Sequence, residues 1–196
     1  WNLAAAILAG CVLRVYRLET QFPRGDEWHA LIAAAKHGYL ALLTSFFGGG
    51  HAIPDALYFR ALTGLGGITE TGIYAPVVVT GIAAIGVVPW LLRDTLGGRS
   101  SAILAWLIAL SPVLILYSRF ARPYGIVALL TLVAVWGLSR WIDTRARRHL
   151  VAYGLAGSLA AYFHAIALPF VLAPIAVAVL HDLLSRRQGM AVSAGN

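Results

Sequence analysis

The stretch IYAPVVVTGIAAIGVVPWLL, residues 73–92, contains no charged side chain. A helix of this length measures about 30 Å, which is the thickness of the hydrocarbon core of a bilayer. The whole chain fits this interpretation. Of its residues, 60% are hydrophobic and 12% are charged, whereas soluble domains carry about 25% charged residues. We therefore predict an all-α, polytopic membrane helix bundle.

Further apolar runs flank this stretch. The predicted spans are residues 1–18, 73–92, 100–117, 125–141, 150–163 and 165–181. The last two belong to one apolar run that is too long for a single crossing, and we expect it to turn near His164. Residues 27–44 and 54–65 are predicted as interfacial helices. The first is amphipathic, and the second is too short to span and carries Asp55 and Arg60.

The basic residues predict the topology of these spans. They cluster in three places: Arg93/Arg99, Arg140–Arg148 and Arg186/Arg187. Positive charge marks the cytoplasmic side. The acid pair Asp26-Glu27, the turn 118–124 and His164 then share the extracytoplasmic side. Arg14 and Arg17 lie near the end of the first span, and we expect their long side chains to extend toward the head groups.

Other classes of protein find no support. The net charge of +7 is assigned to topology, and no nucleic-acid motif, phosphate-binding glycine loop or spaced metal cluster occurs. A single cysteine excludes an internal disulfide. We expect residues 188–196 to form a flexible tail. We also expect a truncated chain, because it begins inside an apolar run.

Asp26 and Glu27 are the first candidate site residues. They can begin a helix, with Asp26 as N-cap and Glu27 in the first turn. Alternatively, one of them is a general base, since partial desolvation raises the pKa of a carboxylate and suits it to take a proton. The two roles are compatible. His29 together with Asp26 could bind a metal, although this spacing is unspecific.

Arg119, Arg122 and His164 are the candidate anion-binding residues. Two arginines in one extracytoplasmic turn run against the usual sign preference, and paired guanidinium groups bind phosphate. The alternative is a charged turn that caps two spans. His164 is a polar ring in a stretch without charges, so it either binds the same anion or holds the turn.

Several motifs resemble those of the GT-C membrane glycosyltransferases, in particular bacterial relatives of the protein O-mannosyltransferases and of the aminoarabinose transferase that acts on lipid A. The matching stretches are Asp26-Glu27 after the first span, His51-Ala52-Ile53-Pro54-Asp55-Ala56-Leu57-Tyr58, Leu110-Ser111-Pro112, Tyr117-Ser118-Arg119-Phe120-Ala121-Arg122-Pro123-Tyr124 and Tyr162-Phe163-His164. The resemblance covers nearly the whole chain and the N-terminal half of such an enzyme. In one departure, Tyr74-Ala75-Pro76-Val77 stands where these relatives often have an Arg-Leu-Pro-Ser pattern. Arg119 replaces a Gln-like position and would supply the missing charge.

The resemblance implies a mannosyltransferase-like enzyme of the cell envelope. A polyprenyl-phosphate donor would transfer its sugar, with inversion, to a hydroxyl or amine of a protein, lipid or glycan. Asp26 or Glu27 would be the base, with Arg119, Arg122 and His164 at the phosphate. His51, Tyr58 and Tyr124 are candidate substrate contacts; a loop position for His51 and interface anchoring for the tyrosines are the alternatives. No cofactor is assigned, and a divalent metal is left open.

The implied location is a bacterial plasma membrane, with the site on the extracytoplasmic side. Two functions of other classes stay open: a lipid or solute carrier, and a non-catalytic membrane scaffold. Carriers usually place ionisable residues and broken helices near the middle of the membrane. Here the polar groups lie at the ends of the spans, which favours the enzyme.

Overall fold

The structure, a computed structural model, describes residues 2–44 and 53–194, which fold into α-helices joined by short turns. The helices are α1 (Asn2–Val15), α2 (Glu27–Lys36), α3 (Tyr39–Thr44), α4 (Ile53–Gly64), α5 (Glu70–Leu110), α6 (Pro112–Tyr117), α7 (Tyr124–Thr144), α8 (Arg147–Phe163) and α9 (Ala167–Ala194). A 3-10 turn, Leu18–Thr20, follows α1. These ranges contain no strand, so the predicted all-helical class is confirmed.

The longest helix, α5, is interrupted near its middle. Gly97 has φ 76° and ψ 164°, a backbone conformation that glycine adopts far more readily than other residues. Segments 70–96 and 98–110 are therefore two helical pieces. Ile85 and Ala105, from the two pieces, pack in one buried cluster with Ala6 of α1. The chain thus folds back on itself at the basic turn around residue 97.

Within the described residues, α5 and α7 are long and apolar enough to cross a membrane, judged by length and composition. The segment Ala167–Leu180 of α9 is also apolar but shorter. Large apolar side chains on these helices point outward, for example Val79, Leu107 and Val177. Lipid tails would cover such side chains in a membrane.

The helices pack against one another, and α2 and α4 cover the end of the bundle at which α5 begins. α1 lies against α5, α7 packs along α8 and α9, and α2 packs on α4. The largest apolar cluster joins α2 and α4 to the start of α5, and it includes Ala121 from the turn between α6 and α7. We call residues 118–123 the corner. The corner is therefore part of the same packed end as α2 and α4.

Arg14 is fully buried, so the expectation that it reaches the head groups is wrong. Its guanidinium donates to the carbonyl oxygens of Ile108 (3.0 Å) and Ala109 (3.1 Å) and to Oγ of Ser118 (3.1 Å). In a continuous helix the N–H of residue 112 would bond to the Ile108 oxygen, but Pro112 has no N–H. Arg14 therefore satisfies carbonyl groups that the Leu-Ser-Pro motif leaves without a donor, at a helix end where a cation is favoured.

Two glycines make room for this guanidinium. A Cβ atom on Gly81 would lie 2.0 Å from Oγ of Ser118 and 3.1 Å from Nε of Arg14. A Cβ atom on Gly10 would lie 3.1 Å from an Nη atom of Arg14. The burial of Arg14 therefore depends on residues far apart in the sequence.

Other helix boundaries differ from the predicted segments. The amphipathic stretch 27–44 forms two helices, because His37 leaves the helical conformation (φ −125°, ψ 146°) and Gly38 follows with low helix propensity. The run 150–180 breaks at His164, the C-cap of α8. The last helix, α9, continues to Ala194 and so includes most of the segment expected to be flexible.

Candidate functional site

Glu27 connects the corner to the first loop, by which we mean residues 16–26 between α1 and α2. One carboxylate oxygen accepts the backbone N–H of Arg24 at 2.7 Å, and the other accepts the backbone N–H of Ala121. The side chain is 1% exposed, and backbone donors occupy both of its oxygens. The structure therefore brings the acid pair and the corner together, and the carboxylate of Glu27 holds them in contact.

Asp26 has the opposite environment. It occupies the N-cap position of α2, yet its side chain makes no capping hydrogen bond and its backbone is helical (φ −66°, ψ −16°). The side chain is 65% exposed, and one carboxylate oxygen lies 3.8 Å from Nε2 of His29. Capping therefore does not account for this carboxylate. Of the two neighbouring acids, Asp26 is the one that a substrate can reach.

Arg119 makes a second connection between the corner and the first loop. Its Nε donates to Oε1 of Gln21 at 3.0 Å, and an Nη atom donates to the carbonyl oxygen of Arg17 at 3.4 Å. The side-chain amide of Gln21 in turn donates to the carbonyl oxygen of Arg119. Much of the bonding capacity of Arg119 therefore goes to holding the loop.

Arg122 is the buried cation of the corner. It is 6% exposed, and its Nε and Nη1 atoms are buried without a hydrogen-bond partner from any residue that the structure describes. The guanidinium carbon lies 6.0 Å from the centre of the Tyr124 ring. An unpaired buried charge is costly, so an anion that reaches Arg122 would gain strong charge-assisted hydrogen bonds. Of the two arginines in the corner, Arg122 has the unsatisfied buried donors.

Tyr124, the ring beside this cation, is the centre of an aromatic group. The Tyr124 ring stacks with Phe120 at 6.3 Å, meets Tyr117 edge-on at 6.2 Å and lies 5.7 Å from the His164 ring, measured between ring centres. Nδ1 of His164 accepts the backbone N–H of Ile166 at 3.1 Å. In the neutral ring, Nε2 therefore carries the proton and is a donor. His164 and Arg122 thus lie against the same tyrosine.

Asp55 is a charged residue of this region that the sequence analysis did not assign to the site. It lies in the first turn of α4, and its Oδ2 atom is buried without a hydrogen-bond partner in the described part of the chain. Burial raises the pKa of Asp55 to about 7, and the positive charge of Arg122 opposes part of this rise. Ala56 and Ala121, next to Asp55 and Arg122 in sequence, belong to the same buried cluster, so the two charged residues border one packed region. The available signal was an acid in an apolar helix, which was used only as evidence against a membrane span.

The other predicted substrate contacts, Tyr58, Tyr124 and His51, differ in their surroundings. The Tyr58 hydroxyl donates to the carbonyl oxygen of Gly72 at 2.8 Å and so ties α4 to the start of α5. Burial also raises the pKa of Tyr58. Tyr124 belongs to the aromatic group around Arg122, whereas His51 lies outside the described residues. Tyr58 is therefore a packing contact here, and Tyr124 is the candidate that stays with the site.

Asp26 and His29 are the candidate metal ligands that lie near each other. Across residues 2–44 and 53–194, no group of three His, Cys, Asp or Glu side chains is arranged to hold a metal ion. Asp26 and His29 therefore supply two ligands, fewer than the three or four protein ligands of a zinc site.

An apolar groove with a volume of about 370 Å³ lies between the first loop, α2 and the start of α5. Its wall includes Pro23 and Trp28, which flank Asp26 in the sequence, as well as Ile32 and Ile73. An apolar chain or ring is the chemistry that this wall accepts. The groove therefore offers a place for the apolar part of a substrate on the same side of the bundle as Asp26.

Comparison with known proteins bears on the family. No curated protein and no solved structure matches the chain significantly. A family model described as dolichyl-phosphate-mannose-protein mannosyltransferase matches residues 51–192, which is more than half of the chain. The matched range contains Asp55, Arg122 and His164, while Asp26 and Glu27 precede it. By this match the chain belongs to the dolichyl-phosphate-mannose-protein mannosyltransferase family, whose members are membrane glycosyltransferases of the GT-C type.

Proposed function

We propose that this chain transfers a sugar from a polyprenyl-phosphate donor to a hydroxyl or amine of an acceptor outside the cytoplasm. Membership of the family supports glycosyl transfer. The observation that carries the donor assignment is the buried guanidinium of Arg122, two of whose nitrogens have no hydrogen-bond partner among residues 2–44 and 53–194. A phosphodiester between a lipid and a sugar carries one negative charge, which a single guanidinium balances while donating hydrogen bonds.

Asp26 is the general base in this proposal. Its exposed carboxylate adjoins Glu27, which is bonded to the residue before Arg122. The acceptor oxygen attacks the anomeric carbon of the sugar and gives its proton to the Asp26 carboxylate. The bond from that carbon to the phosphate oxygen breaks, and the electron pair stays on the phosphate. A single displacement of this kind inverts the anomeric carbon.

The leaving phosphate gains negative charge as this bond breaks. Arg122 balances that charge at a buried position, where electrostatic stabilisation is stronger than in water. His164 lies against the same Tyr124 ring and accepts a backbone N–H at Nδ1, so in the neutral ring Nε2 is the atom that would donate to the phosphate. Glu27 and Arg119 act as positioning residues, because both hold the first loop on the corner.

Topology supports the placement of this site. α7 begins beside the corner, and Arg140 lies near its other end, about 24 Å away at 1.5 Å per residue. Arg140 is 3.5 Å from Asp94, at the turn that also contains Arg93 and Arg99. Positive charge favours the cytoplasm for that end. We therefore assign a multi-pass arrangement with the corner on the extracytoplasmic side. A bacterial plasma membrane is proposed from the resemblance of the motifs to those of bacterial GT-C enzymes.

The groove beside Asp26 supports an amphiphilic substrate. Its apolar wall suits the polyprenyl chain of the donor or an apolar part of the acceptor. A protein acceptor agrees with the family description, while a lipid or a glycan fits the same base and the same displacement.

The test is sugar transfer by the protein in lipid vesicles, with a radiolabelled polyprenyl-phosphate sugar as donor. Asp26→Asn removes the base and is expected to lower the rate about 10²–10⁴-fold. Arg122→Gln is expected to lower it about 10²–10³-fold. Asp143→Asn and Arg148→Gln are matched controls, because both side chains are exposed at the opposite end of the bundle.

Full activity of Asp26→Asn would remove Asp26 as base. Movement of the labelled lipid across the vesicle membrane by the unaltered protein, without any sugar transfer, would instead indicate a carrier.

A further inference from the structure

Asp55 and Arg122 carry opposite charges and border the same packed region, because Ala56 and Ala121, the residues beside them in sequence, belong to one buried cluster. Among the described residues, Oδ2 of Asp55 and both Nε and Nη1 of Arg122 are buried atoms without a hydrogen-bond partner, and Arg122 acts electrostatically on the carboxyl group. Buried polar atoms are nearly always paired in proteins, and each exception calls for an explanation. Here the exceptions are an acceptor and two donors on residues of one packed region.

A helix dipole explains only part of this arrangement. An acid in the first turn of a helix is favoured by the dipole, and Asp55 occupies such a position in α4. That effect requires neither burial nor a neighbouring unpaired cation. It also leaves Oδ2 without a partner, which costs free energy, and more so for a charged group. A ligand that donates to Asp55 and accepts from Arg122 would satisfy all three atoms.

A glycosyl phosphate has this combination of groups. Its phosphate accepts hydrogen bonds and carries negative charge. The sugar attached to it has hydroxyl groups beginning on the carbon next to the anomeric carbon, and each hydroxyl is a donor. A carboxylate can accept from two neighbouring hydroxyls, as Arg can donate to two phosphate oxygens. The charge pattern of the pair therefore matches the head of the proposed donor.

We propose that Asp55 binds the hydroxyl groups of the donor sugar, so that the site recognises a glycosylated lipid phosphate and releases the bare lipid phosphate. This inference rests on the proposed function. After transfer the sugar is absent, and Asp55 loses its hydrogen bonds to the ligand. The product is a phosphomonoester with more negative charge than the donor, and Asp55 repels it whenever the carboxyl group is ionised. Asp55 thereby favours the donor over the product at the same guanidinium.

The experiment measures the affinity of the protein in nanodiscs for two lipids of equal chain length, polyprenyl-phosphate mannose and polyprenyl phosphate. The unaltered protein is expected to bind the mannosylated lipid more tightly. Asp55→Ala is expected to weaken binding of that lipid about 10-fold, the equivalent of one or two net hydrogen bonds. Binding of polyprenyl phosphate is expected to stay unchanged or to become tighter.

Two further variants complete the design. Asp55→Asn keeps the shape of the side chain and one acceptor oxygen, and is expected to fall between the unaltered protein and Asp55→Ala. Arg122→Gln is expected to weaken both lipids, because the phosphate is common to them. Asp143→Asn, at the opposite end of the bundle, serves as the control.

The possible failures are distinguishable. Equal weakening of both lipids by Asp55→Ala would show that Asp55 only positions Arg122, and would overturn the inference. Unchanged affinity for the mannosylated lipid would overturn it as well. If the unaltered protein binds neither lipid, or if Arg122→Gln has no effect on either, the proposed function itself fails.

Discussion

The hydrogen bonds of Glu27 allow a sharp test of how the site is held. Glu27→Gln keeps the side-chain shape and replaces one acceptor oxygen by an NH₂ donor. Whichever way the amide turns, the NH₂ group faces either the N–H of Arg24 or that of Ala121. Arg24 is exposed and Ala121 is buried, so we expect the amide to turn its NH₂ toward Arg24, where water can replace the lost partner.

The cost follows from these two bonds. One charge-assisted hydrogen bond disappears, and the other loses its charge. Since hydrogen bonds to charged groups contribute about 1.5–3 kcal/mol each, we expect Glu27→Gln to lower the free energy of unfolding by about 2 kcal/mol. Glu27→Ala is expected to cost more, because it leaves the buried N–H of Ala121 unpaired. Sugar transfer should also fall in both variants, since the corner that carries Arg122 is no longer held on the first loop.

Unfolding of the protein in bicelles, titrated with SDS, measures the stability change. Glu19→Gln is the control, because Glu19 is an exposed acid near the same loop. An unfolding free energy equal to that of the control would refute the structural role of Glu27. Loss of sugar transfer at unchanged stability would mean that Glu27, and not Asp26, takes the proton.

Three other changes test the packing and the charges. Gly81→Ala places a Cβ atom in a buried contact of 2.0 Å and should cost about 1–3 kcal/mol, whereas the neighbouring Gly86→Ala meets its nearest atom at 3.6 Å and should be neutral or stabilising in the same unfolding assay. Asp55 has a folded pKa of about 7 against an ordinary 3.8. The folded state therefore binds the extra proton between these values, so stability should fall as pH rises from about 4 to 7, and a titration of Asp55→Asn should show a flatter profile. Arg14→Leu leaves two buried carbonyl groups without their donor and should cost about 2–6 kcal/mol in SDS unfolding, while Arg17→Leu, at an exposed side chain, should have little effect.

Local sequence patterns predict much of the architecture. The all-helical class follows from long apolar runs. The interruptions at Gly97 and His164 coincide with the basic turn 93–99 and with the polar ring in the run 150–180. The break after Lys36 was harder to see, since the apolar spacing of a helix continues across His37 and Gly38. Amphipathic spacing reports which face is buried, and it does not report whether the helix is continuous.

The contacts of single side chains depend on partners far away in the chain. The sequence around Arg14 gives no sign that Gly81 makes room for its side chain, or that the carbonyl group of Ile108 needs a donor. For this reason the sequence alone places Arg14 at the head groups. Asp26 and Glu27 are adjacent, yet one is exposed and the other is bonded to Ala121, a difference that only the position of the corner decides. Asp55 was overlooked for the same reason, because its significance comes from Arg122.

The contact between Arg14 and the end of α5 has a genetic consequence. Pro112 contributes to the need that Arg14 meets: the helix ends at Ser111, whose backbone is extended (φ −61°, ψ 117°), and proline lacks the N–H that a continuous helix would bring to the oxygen of Ile108. A second-site change, Pro112→Ala, allows the helix to continue through residue 112 and to supply that N–H, and it should therefore suppress part of the defect of Arg14→Leu. In SDS unfolding, the double variant should be more stable than Arg14→Leu alone. Each of these two residues is therefore tolerated mainly because the other is present.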